Sequence, residues 1–343
     1  MTTASAPVLE IRDLSVSFPT ETGTVSAVDG VSLDLAAGEI VGMVGESGCG
    51  KSVTAMSLAG LLPGSARVTG SVRLDGTQLV GARESALRRV RGREIAYIFQ
   101  EPMTSLNPVL TVGRQIGEVL QVHERMSRRA ARARAMELLT LVGIPSAAQR
   151  VDNYPHQLSG GMRQRVMIAM AVACGPKVLV ADEPTTALDV TVQAGILQVL
   201  RDLRDRLGTS VLIITHDLSA VEYLADDIAV MYLGQLVETG SRERIFARPA
   251  HPYTQALLSA APVADPVRQR HRQPVLLGDD LPSALDPPSG CRFRTRCPLA
   301  FDRCATEVPA QTAIGDGMAA CHLVRPDGTG PDVRTADPSE VLS

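Results

Sequence analysis

A glycine-rich stretch near the start of the sequence has the residue types and the spacing of a phosphate-binding loop. It reads Gly45-Glu46-Ser47-Gly48-Cys49-Gly50-Lys51-Ser52 and matches the pattern Gly-x4-Gly-Lys-Ser/Thr. The glycines let successive backbone N–H groups point inward, and the positive end of the following helix adds to that field. Lys51 would place a charge beside the β and γ phosphates, and Ser52 would place its hydroxyl on Mg²⁺. The motif predicts phosphate binding by this loop and by Val53 after it, with the Cys49 side chain as a small filler.

A second set of candidate residues is an acidic pair, Asp182 and Glu183, which follows the apolar run Lys177-Val178-Leu179-Val180-Ala181. The carboxyl end of a buried strand faces the ligand crevice of a parallel sheet. There Asp182 suits direct or indirect coordination of Mg²⁺, and Glu183 suits activation of an attacking water. Taken alone, the pair could simply cap the next helix. Together with the phosphate loop, it favours phosphoryl transfer.

These candidates require a parallel sheet to bring them together. Four apolar runs, separated by longer segments with helical periodicity, predict its buried strands: Ile40 to Val44, Ile95 to Phe99, Val178 to Ala181 and Val211 to Thr215. Before them, short alternating runs within residues 8–35 predict an antiparallel edge sheet. Between them, residues from about 102 to 155 have helical periodicity, with runs at Val112 to Val122 and Arg128 to Val142, and indicate an inserted helical lobe. The sequence predicts an α/β core.

Composition and charge bound the class of protein. The chain has 343 residues, 45% of them apolar and 21% charged, which is enough for one large domain and an appendage. A formal net charge of -3 provides no global attraction to a polyanion, so nucleic acid is not favoured as the main partner. No run of about eighteen apolar residues and no signal-peptide pattern is present, which predicts a cytosolic protein without structural disulfides.

Four of the six cysteines lie together after the composition changes beyond Asp265, at Cys291, Cys297, Cys304 and Cys321. The segment has too few apolar residues for a core of its own, so something else must hold it. Four thiolates can ligate a [4Fe–4S] cluster or a tetrahedral Zn²⁺, although the Cys-x2-Cys pairs of zinc ribbons are absent. His322 is a reserve ligand. The neighbouring Arg292, Arg294 and Arg296 could offset the charge of such a centre or form a solvated basic rim.

One further run identifies a family. Leu158-Ser159-Gly160-Gly161-Met162-Arg163-Gln164-Arg165 resembles the signature sequence of ATP-binding-cassette (ABC) proteins. Ser159 and the glycines would expose backbone donors at the start of a helix, Met162 to Ala173. The resemblance implies that Ser159, Gly160, Gly161 and Gln164 serve the γ-phosphate held by an opposite subunit. It therefore implies a head-to-tail dimer with two nucleotides between the subunits.

The other family elements follow in order and extend the resemblance over about residues 8 to 325. Gln100 resembles the glutamine that contacts Mg²⁺ and the attacking water, and His216 resembles the histidine that contacts the γ-phosphate. Ala187-Leu188-Asp189 resembles the loop that crosses the dimer interface, with Asp189 as its acidic residue. Phe18 is the candidate for the aromatic residue that stacks on adenine, where many relatives have Tyr.

The resemblance also implies an architecture. This is a P-loop NTPase of the ABC-cassette type, with an antiparallel β subdomain, an inserted helical subdomain and a small C-terminal Cys-rich module. The expected ATPase domain spans residues 8–262, the module of oligopeptide-transporter type spans residues 263–325, and a flexible tail spans residues 326–343.

Two segments narrow the branch of the family. The runs Gln100-Glu101-Pro102-Met103-Thr104-Ser105-Leu106-Asn107-Pro108 and His251-Pro252-Tyr253-Thr254-Gln255-Ala256-Leu257-Leu258 are similar to stretches of dipeptide, oligopeptide and nickel importers. Without the family, the first is only a Pro- and Asn-rich turn and the second a Pro-initiated helix. In the family, the first lies where a coupling helix of the membrane subunit docks. Similar C-terminal tails are associated with an iron–sulfur cluster, which favours [4Fe–4S] over Zn²⁺ here.

The expected function is an ATP- and Mg²⁺-dependent motor for peptide import at the cytoplasmic face of the membrane. Its expected partners are a second ABC ATPase, two membrane permeases and an extracytoplasmic substrate-binding protein. The cargo could also be nickel or another small solute. A cassette ATPase acting on DNA or ribosomes is the second hypothesis, to which the run Arg88 to Arg93 and the run Arg128 to Arg134 would contribute charge. The aromatic content of 3% argues against it, because base stacking needs aromatic side chains.

Overall fold

The chain builds two β-sheets. A computed structural model describes residues 7–100, 105–186, 188–260, 281–325, 329–331 and 333. The smaller sheet is antiparallel, has the order β2-β1-β4-β5, and is made of β1 (Pro7–Thr20), β2 (Gly23–Ala36), β4 (Arg67–Leu74) and β5 (Thr77–Gln78). It confirms the predicted antiparallel sheet. Runs that looked separate in the sequence form two long strands, since β1 and β2 pair along almost their whole length.

The larger sheet has eight strands in the order β11-β12-β10-β9-β3-β8-β7-β6. Its strands are β3 (Ile40–Val44), β6 (Ile95–Ile98), β7 (Val178–Asp182), β8 (Ser210–Thr215), β9 (Asp227–Tyr232), β10 (Gln235–Ser241), β11 (Thr312–Ile314) and β12 (Gly317–Ala319). The five strands from β9 to β6 are parallel. Four of these were predicted, and β9 was missed. The carboxyl ends of these five strands lie at one edge.

Helices cover the sheet and build a lobe beside it. They are α1 (Lys51–Leu58), α2 (Glu84–Val90), α3 (Val112–Glu124), α4 (Arg128–Leu141), α5 (Ala147–Arg150), α6 (Gly160–Ala171), α7 (Val190–Leu207), α8 (Leu218–Leu224), α9 (Arg242–Ala247), α10 (Pro252–Ala260) and α11 (Asp302–Thr306). Helices α3 and α4 pack against each other and against α6. The helical lobe is thus tied to α6, the helix that begins at the predicted signature sequence. No described helix is long and apolar enough to cross a bilayer.

Two apolar cores lie on opposite faces of the large sheet. Along β3 the side chains alternate, with Ile40 and Val44 facing the helical side and Val41 and Met43 facing the antiparallel sheet. A Cβ added to Gly42 would lie 2.6 Å from Val221 of α8, so this helix packs directly on the strand backbone. The strand that precedes the phosphate loop is therefore fixed from both faces.

The C-terminal segment, residues 281–325, packs into the apolar core of the cassette. Strand β12 pairs antiparallel with β10, and Glu238 lies opposite Ala319. Phe293 is 1% exposed, and its ring centroid lies 5.2 Å from that of Tyr232 and 5.4 Å from that of Tyr253. The segment was expected to have too few apolar residues for a core of its own. Its strand pairing and the packing of Phe293 attach it to the core of the cassette.

Several predictions fall on residues outside the described ranges. They are the boundary between residues 262 and 263, the start of the helical lobe at residue 102, residues 101–104 of the first branch-specific run, and Ala187 of the dimer-interface loop. Of the tail at residues 326–343, residues 329–331 and 333 are described. The Gln255 side-chain amide donates to the carbonyl of Pro331 at 2.5 Å and accepts from the N–H of Val333 at 3.0 Å. The division into domains stays a prediction.

Candidate nucleotide-binding site

The predicted phosphate loop joins β3 to α1 in a conformation that requires glycine. Gly45 has φ 157 and Gly50 has φ 108. A Cβ at Gly45 would lie 2.2 Å from the carbonyl oxygen of Met231, and one at Gly50 would lie 2.3 Å from that of Ala27. Because α1 begins at Lys51, the loop is followed at once by the positive end of a helix. The turn that the motif predicted is present.

Lys51 is held inside this loop. Its side chain is buried, and its ammonium donates to the carbonyl oxygens of Gly45 at 2.7 Å and Glu46 at 2.8 Å. The Cys49 sulfur is also close, at 3.7 Å. Burial raises the pKa of the Cys49 thiol, and the nearby ammonium opposes that shift. The thiol thus stays neutral and fills the loop, while the positive charge of Lys51 lies in the concavity.

Asp182 lies beside Ser52, as predicted for a shared metal ion. The Ser52 hydroxyl donates to one carboxylate oxygen of Asp182 at 3.0 Å, and the Tyr97 hydroxyl donates to the other at 2.6 Å. Burial raises the pKa of Asp182, and these two hydrogen bonds oppose the shift. Tyr97 was not identified from the sequence. The only sequence feature that could have identified it is a tyrosine within the otherwise apolar strand β6, which pairs with the strand that carries Asp182.

Glu183 and His216 meet at the ends of adjacent strands. The His216 Nδ1 atom lies 2.8 Å from a Glu183 carboxylate oxygen, and the Thr186 hydroxyl donates to the other oxygen at 2.7 Å. The Glu183 backbone has φ 50, a left-handed conformation, and its N–H donates to the carbonyl of Ile214 at 2.8 Å. The carboxylate is therefore oriented on both oxygens. Thr186 was missed by the sequence analysis.

The signature residues form the N-terminus of α6. The Ser159 hydroxyl accepts from the N–H of Met162 at 3.4 Å, and Asp189 caps α7 by accepting from the N–H of Val192 at 3.0 Å. The two helix starts are adjacent, since a Cβ at Gly161 would lie 2.4 Å from Val192. Within the described ranges, Ser159 makes no hydrogen bond to the phosphate loop of the same chain. Ser159 and Gly160 are exposed, so this end of α6 lies at the protein surface.

Three other predicted residues occupy different environments. Gln164 is 2% exposed and its side-chain nitrogen has no hydrogen-bond partner, so it lies inside the protein and not at the tip with Ser159. Gln100 is exposed directly after β6, at the edge that carries Asp182. Phe18 is half-buried on β1 opposite Val25, against the core beneath the antiparallel sheet. Their proposed nucleotide contacts stay predictions.

The four C-terminal cysteines lie near one another. Burial, together with a smaller effect of the neighbouring Cys291 and Cys304 thiols, raises the pKa of Cys297 to about 12 and that of Cys321 to about 11. The backbone N–H of Cys291 donates to the carbonyl of Cys304 at 2.8 Å. As placed, however, no three Cys, His, Asp or Glu side chains of the described residues form a group that could hold a metal ion. The reserve ligand His322 has its Nε2 atom 3.0 Å from the backbone oxygen of Glu307.

The arginines beside these cysteines have another role than expected. Arg292 and Arg296 were predicted to offset the charge of a metal centre or to form a solvated rim. Instead they reach into the cassette, where Arg292 pairs with Asp29 and Arg296 pairs with Glu46. Their side chains are only 12% and 7% exposed. Arg294 donates to the carbonyl of Ser289 within its own segment.

Sequence comparisons agree with this geometry. The family model described as ABC transporter matches residues 28–186, and the model described as the C-terminal region of oligopeptide/dipeptide transporters matches residues 237–304. A Brucella abortus protein whose name describes it as a peptide import ATP-binding protein is 52% identical over 318 residues, which cover 92% of this chain and 95% of the relative. The chain belongs to the ATP-binding proteins of ABC transporters.

Other members of this ABC family include the dipeptide transport ATP-binding protein DppD of Escherichia coli. It is 48% identical over 326 residues, which cover 94% of this chain and 99% of the relative. Among solved structures, the dimeric ABC transporter cassette MJ0796 has a TM-score of 0.62 and 28% identity, covering 68% of this chain and 98% of that one. The same cassette with ADP and phosphate, in a post-hydrolysis state, gives the same values. The predicted ABC-cassette fold is thereby confirmed.

Proposed function

We propose that this chain is the ATP-hydrolysing subunit of an ABC importer and energises the uptake of di- and oligopeptides across the cytoplasmic membrane. The observation that carries the hydrolytic part is the orientation of Glu183 by His216 and Thr186, beside the Ser52–Asp182 pair. The relatives named for dipeptide and peptide transport support the peptide part, since they match the chain over nearly its whole length.

The phosphate loop binds the triphosphate. Backbone N–H groups of Gly45–Ser52, the start of α1 and the Lys51 ammonium together compensate its negative charge. Val53 follows in the first turn of α1. The Phe18 ring of β1 would stack on the adenine. These contacts bind and orient the nucleotide, and they do not by themselves break a bond.

Mg²⁺ fits the oxygen atoms beside the loop. The Ser52 hydroxyl and the Asp182 carboxylate are hard oxygen ligands within 3.0 Å of each other, and the exposed Gln100 amide lies at the same edge. When bound there, the ion would neutralise charge on the β and γ phosphates. Asp182 is already fixed by the Tyr97 hydroxyl, so its position does not depend on the ion.

Glu183 acts as the base for the attacking water. The water oxygen bonds to the γ-phosphorus as the bond from that phosphorus to the bridging β–γ oxygen breaks, and one water proton passes to the Glu183 carboxylate. ADP and inorganic phosphate are the products. His216 and Thr186 hold the carboxylate by its two oxygens, and His216 is 62% exposed, so it is accessible to the γ-phosphate.

A second cassette completes the site. Ser159, Gly160 and Gly161 present the N-terminus of α6 away from the loop of their own chain, which suits capture of the γ-phosphate of a partner. Gln164 would support this tip from inside the lobe, and Asp189 would line the interface at the start of α7. The dimer contains this chain twice or pairs it with a related ABC ATPase.

Two membrane permeases supply the transport path, and an extracytoplasmic binding protein supplies the substrate. A cavity of about 570 Å³ between the helical lobe and β6 is the docking site for a cytoplasmic helix of a permease. Its lining is mostly apolar and includes Phe99, Val119, Met167 and Met170, and the Phe99 side chain is 45% exposed. Docking here would place the chain at the cytoplasmic face of the membrane as a peripheral subunit, with no role for nucleic acid.

The C-terminal cysteines are the proposed ligands of a [4Fe–4S] cluster, with Zn²⁺ as the alternative. The mutual proximity of Cys291, Cys297, Cys304 and Cys321 supports this proposal. Their present placement does not form a ligand set, so binding would require the thiols to close in. Anaerobic purification followed by iron, zinc and acid-labile sulfide analysis tests it. Stoichiometric zinc without sulfide would refute the cluster.

Reconstitution tests the transport function. The full chain is co-expressed with its two permeases, purified in detergent and placed in proteoliposomes with ATP inside. We expect uptake of a radiolabelled dipeptide that requires the binding protein and is lost in Glu183→Gln. A chain that instead sediments with ribosomes, or whose partner is sensitive to nuclease, would overturn the proposal. Uptake of nickel without peptide uptake would change the proposed substrate to nickel and leave the proposed ATP-driven import unchanged.

A further inference from the structure

Arg296 of the C-terminal segment forms an ion pair with the phosphate loop. Its two guanidinium nitrogens donate to the two carboxylate oxygens of Glu46 at 2.8 and 3.1 Å. The arginine side chain is 7% exposed and the glutamate side chain 26%. A bidentate pair of this kind is directional, and partial exclusion of water strengthens it. Glu46 is the second residue of the loop, 250 residues away in sequence.

The same loop residue is held at its backbone. The Glu46 N–H donates to the Tyr253 hydroxyl at 3.0 Å, and the Tyr253 side chain is fully buried. The Glu46 carbonyl accepts from the Lys51 ammonium at 2.8 Å. Every polar group of Glu46 therefore has a partner. Glu46, whose carbonyl holds the Lys51 ammonium, is itself held by Tyr253 and by Arg296 of the C-terminal segment.

A second arginine contacts residues that neighbour the loop. Arg292 pairs with Asp29 and donates to the carbonyl of Leu233 at 2.5 Å. Next to it, the N–H of Gly234 donates to the carbonyl of Cys49 at 2.8 Å. Arg292 and Arg296 lie on either side of the buried Phe293, which anchors this stretch to the cassette. One short stretch thus contacts the phosphate loop directly through Arg296 and indirectly through Arg292, which holds the turn that bonds to Cys49.

We propose that Arg296 is a positioning residue for ATP binding, through which the cysteine-bearing segment sets the nucleotide affinity of the phosphate loop. Two effects act in the same direction. The ion pair fixes the turn that carries Glu46, and it neutralises a carboxylate that would otherwise repel the triphosphate. Arg296 itself need not touch the nucleotide. This inference rests on the proposed ATP site.

Titration of the full chain with a fluorescent ATP analogue and Mg²⁺ tests the inference. We expect Arg296→Gln to raise the Kd about tenfold, as for loss of a hydrogen-bonded charge pair. The kcat at saturating ATP stays within about twofold, because positioning and not chemistry is lost. Tyr253→Phe, which removes a single hydroxyl, should raise the Kd in the same direction. Arg303→Gln is the matched control, since Arg303 forms an exposed pair with Glu307 in the same segment.

The charge of Glu46 separates this role from a purely structural one. Adding Glu46→Gln to Arg296→Gln removes the uncompensated carboxylate, so the double variant should recover to within about threefold of the Kd of Glu46→Gln alone. Wild-type affinity in a folded Arg296→Gln chain would overturn the inference, and so would losses that simply add in the double variant. If the wild-type chain bound no ATP while folded, the proposed function would fail instead. Circular dichroism and thermal unfolding identify variants that do not fold.

Discussion

The Nδ1 atom of His216 lies 2.8 Å from a carboxylate oxygen of Glu183, across the ends of the adjacent strands β8 and β7. Neither residue is close to the other in sequence, and only the parallel pairing of these strands brings them together. The Glu183 carboxylate is thereby aimed before any water arrives, since Thr186 holds its second oxygen. This relationship gives the most direct test of catalysis.

Glu183→Gln should bind ATP with nearly wild-type affinity and lower kcat by at least about 100-fold, because an amide cannot accept the water proton. Phosphate release under saturating ATP measures the rate, and the fluorescent analogue measures binding. Glu222→Gln, at an exposed position on α8, is the control and should keep wild-type turnover. A folded Glu183→Gln chain that hydrolyses ATP at the normal rate would disprove the role of this carboxylate.

Lys51→Ala should weaken ATP binding by about 30-fold or more, because the variant leaves the phosphates without their buried point charge. The sequence contains one other lysine, Lys177, which forms exposed pairs with Asp75 and Glu94. Lys177→Ala is therefore a matched control and should leave the Kd unchanged. Equal losses in both variants would mean that general charge, and not the loop, attracts the nucleotide.

Ser159→Ala should abolish ATP-dependent dimerisation. In the Glu183→Gln background, which prevents hydrolysis, light scattering after size exclusion should show dimers that disappear with this change. Because Ser159 also caps α6, the variant should lose about 1 kcal/mol of unfolding free energy. Ser127→Ala removes the equivalent cap of α4, where the hydroxyl accepts from Ala130 at 3.3 Å, and controls for this loss. Ser127→Ala should lose a similar unfolding free energy and still dimerise with ATP. Dimers that survive in Ser159→Ala would contradict a dimer with ATP held between the two subunits.

Glu39 should make stability depend on pH. Burial and the neighbouring Asp227 and Asp226 raise the pKa of Glu39 to about 7 from 4.5. The folded state therefore binds more protons than the unfolded state between these values, and stability falls as the pH rises from about 4.5 to 7. Urea unfolding should show a decrease on the order of 1 to 3 kcal/mol between pH 5 and 8. In Glu39→Gln, whose amide oxygen can still accept from the Ala36 N–H, this decrease should be much smaller. An unchanged slope would exclude Glu39 as its source.

The parallel core could be predicted from the sequence because its strands are buried on both faces. Uninterrupted apolar runs such as Val178 to Ala181 mark such strands, and the motifs that follow them mark the functional edge. Strand β9 escaped the same reasoning, although Ile228–Tyr232 is equally apolar. The charged pair Asp226–Asp227 directly before it and the two-residue turn directly after it leave only five uninterrupted apolar residues between them.

The partners of the site residues could not be predicted, because they come from distant parts of the chain. Tyr97, Thr186 and Tyr253 each use one hydroxyl, and a hydroxyl has no sequence pattern of its own. From the sequence, the arginines of the run Arg292-Phe293-Arg294-Thr295-Arg296 could equally offset the charge of a metal centre or form a solvated basic rim. Only the packing of Phe293 onto Tyr232 and Tyr253 turns its two outer arginines toward the cassette.

Strand β10 has seven residues, and on its outer side Glu238 and Thr239 pair with β12, whose own neighbour β11 has only three residues. A sheet that stops at so short a strand offers few free N–H and C=O groups to another polypeptide. Proteolytic removal of everything beyond residue 260 would uncover the longer strand. The shortened cassette would then be prone to self-association through edge-to-edge strand pairing, and it would also lack the Arg296 side chain that pairs with Glu46.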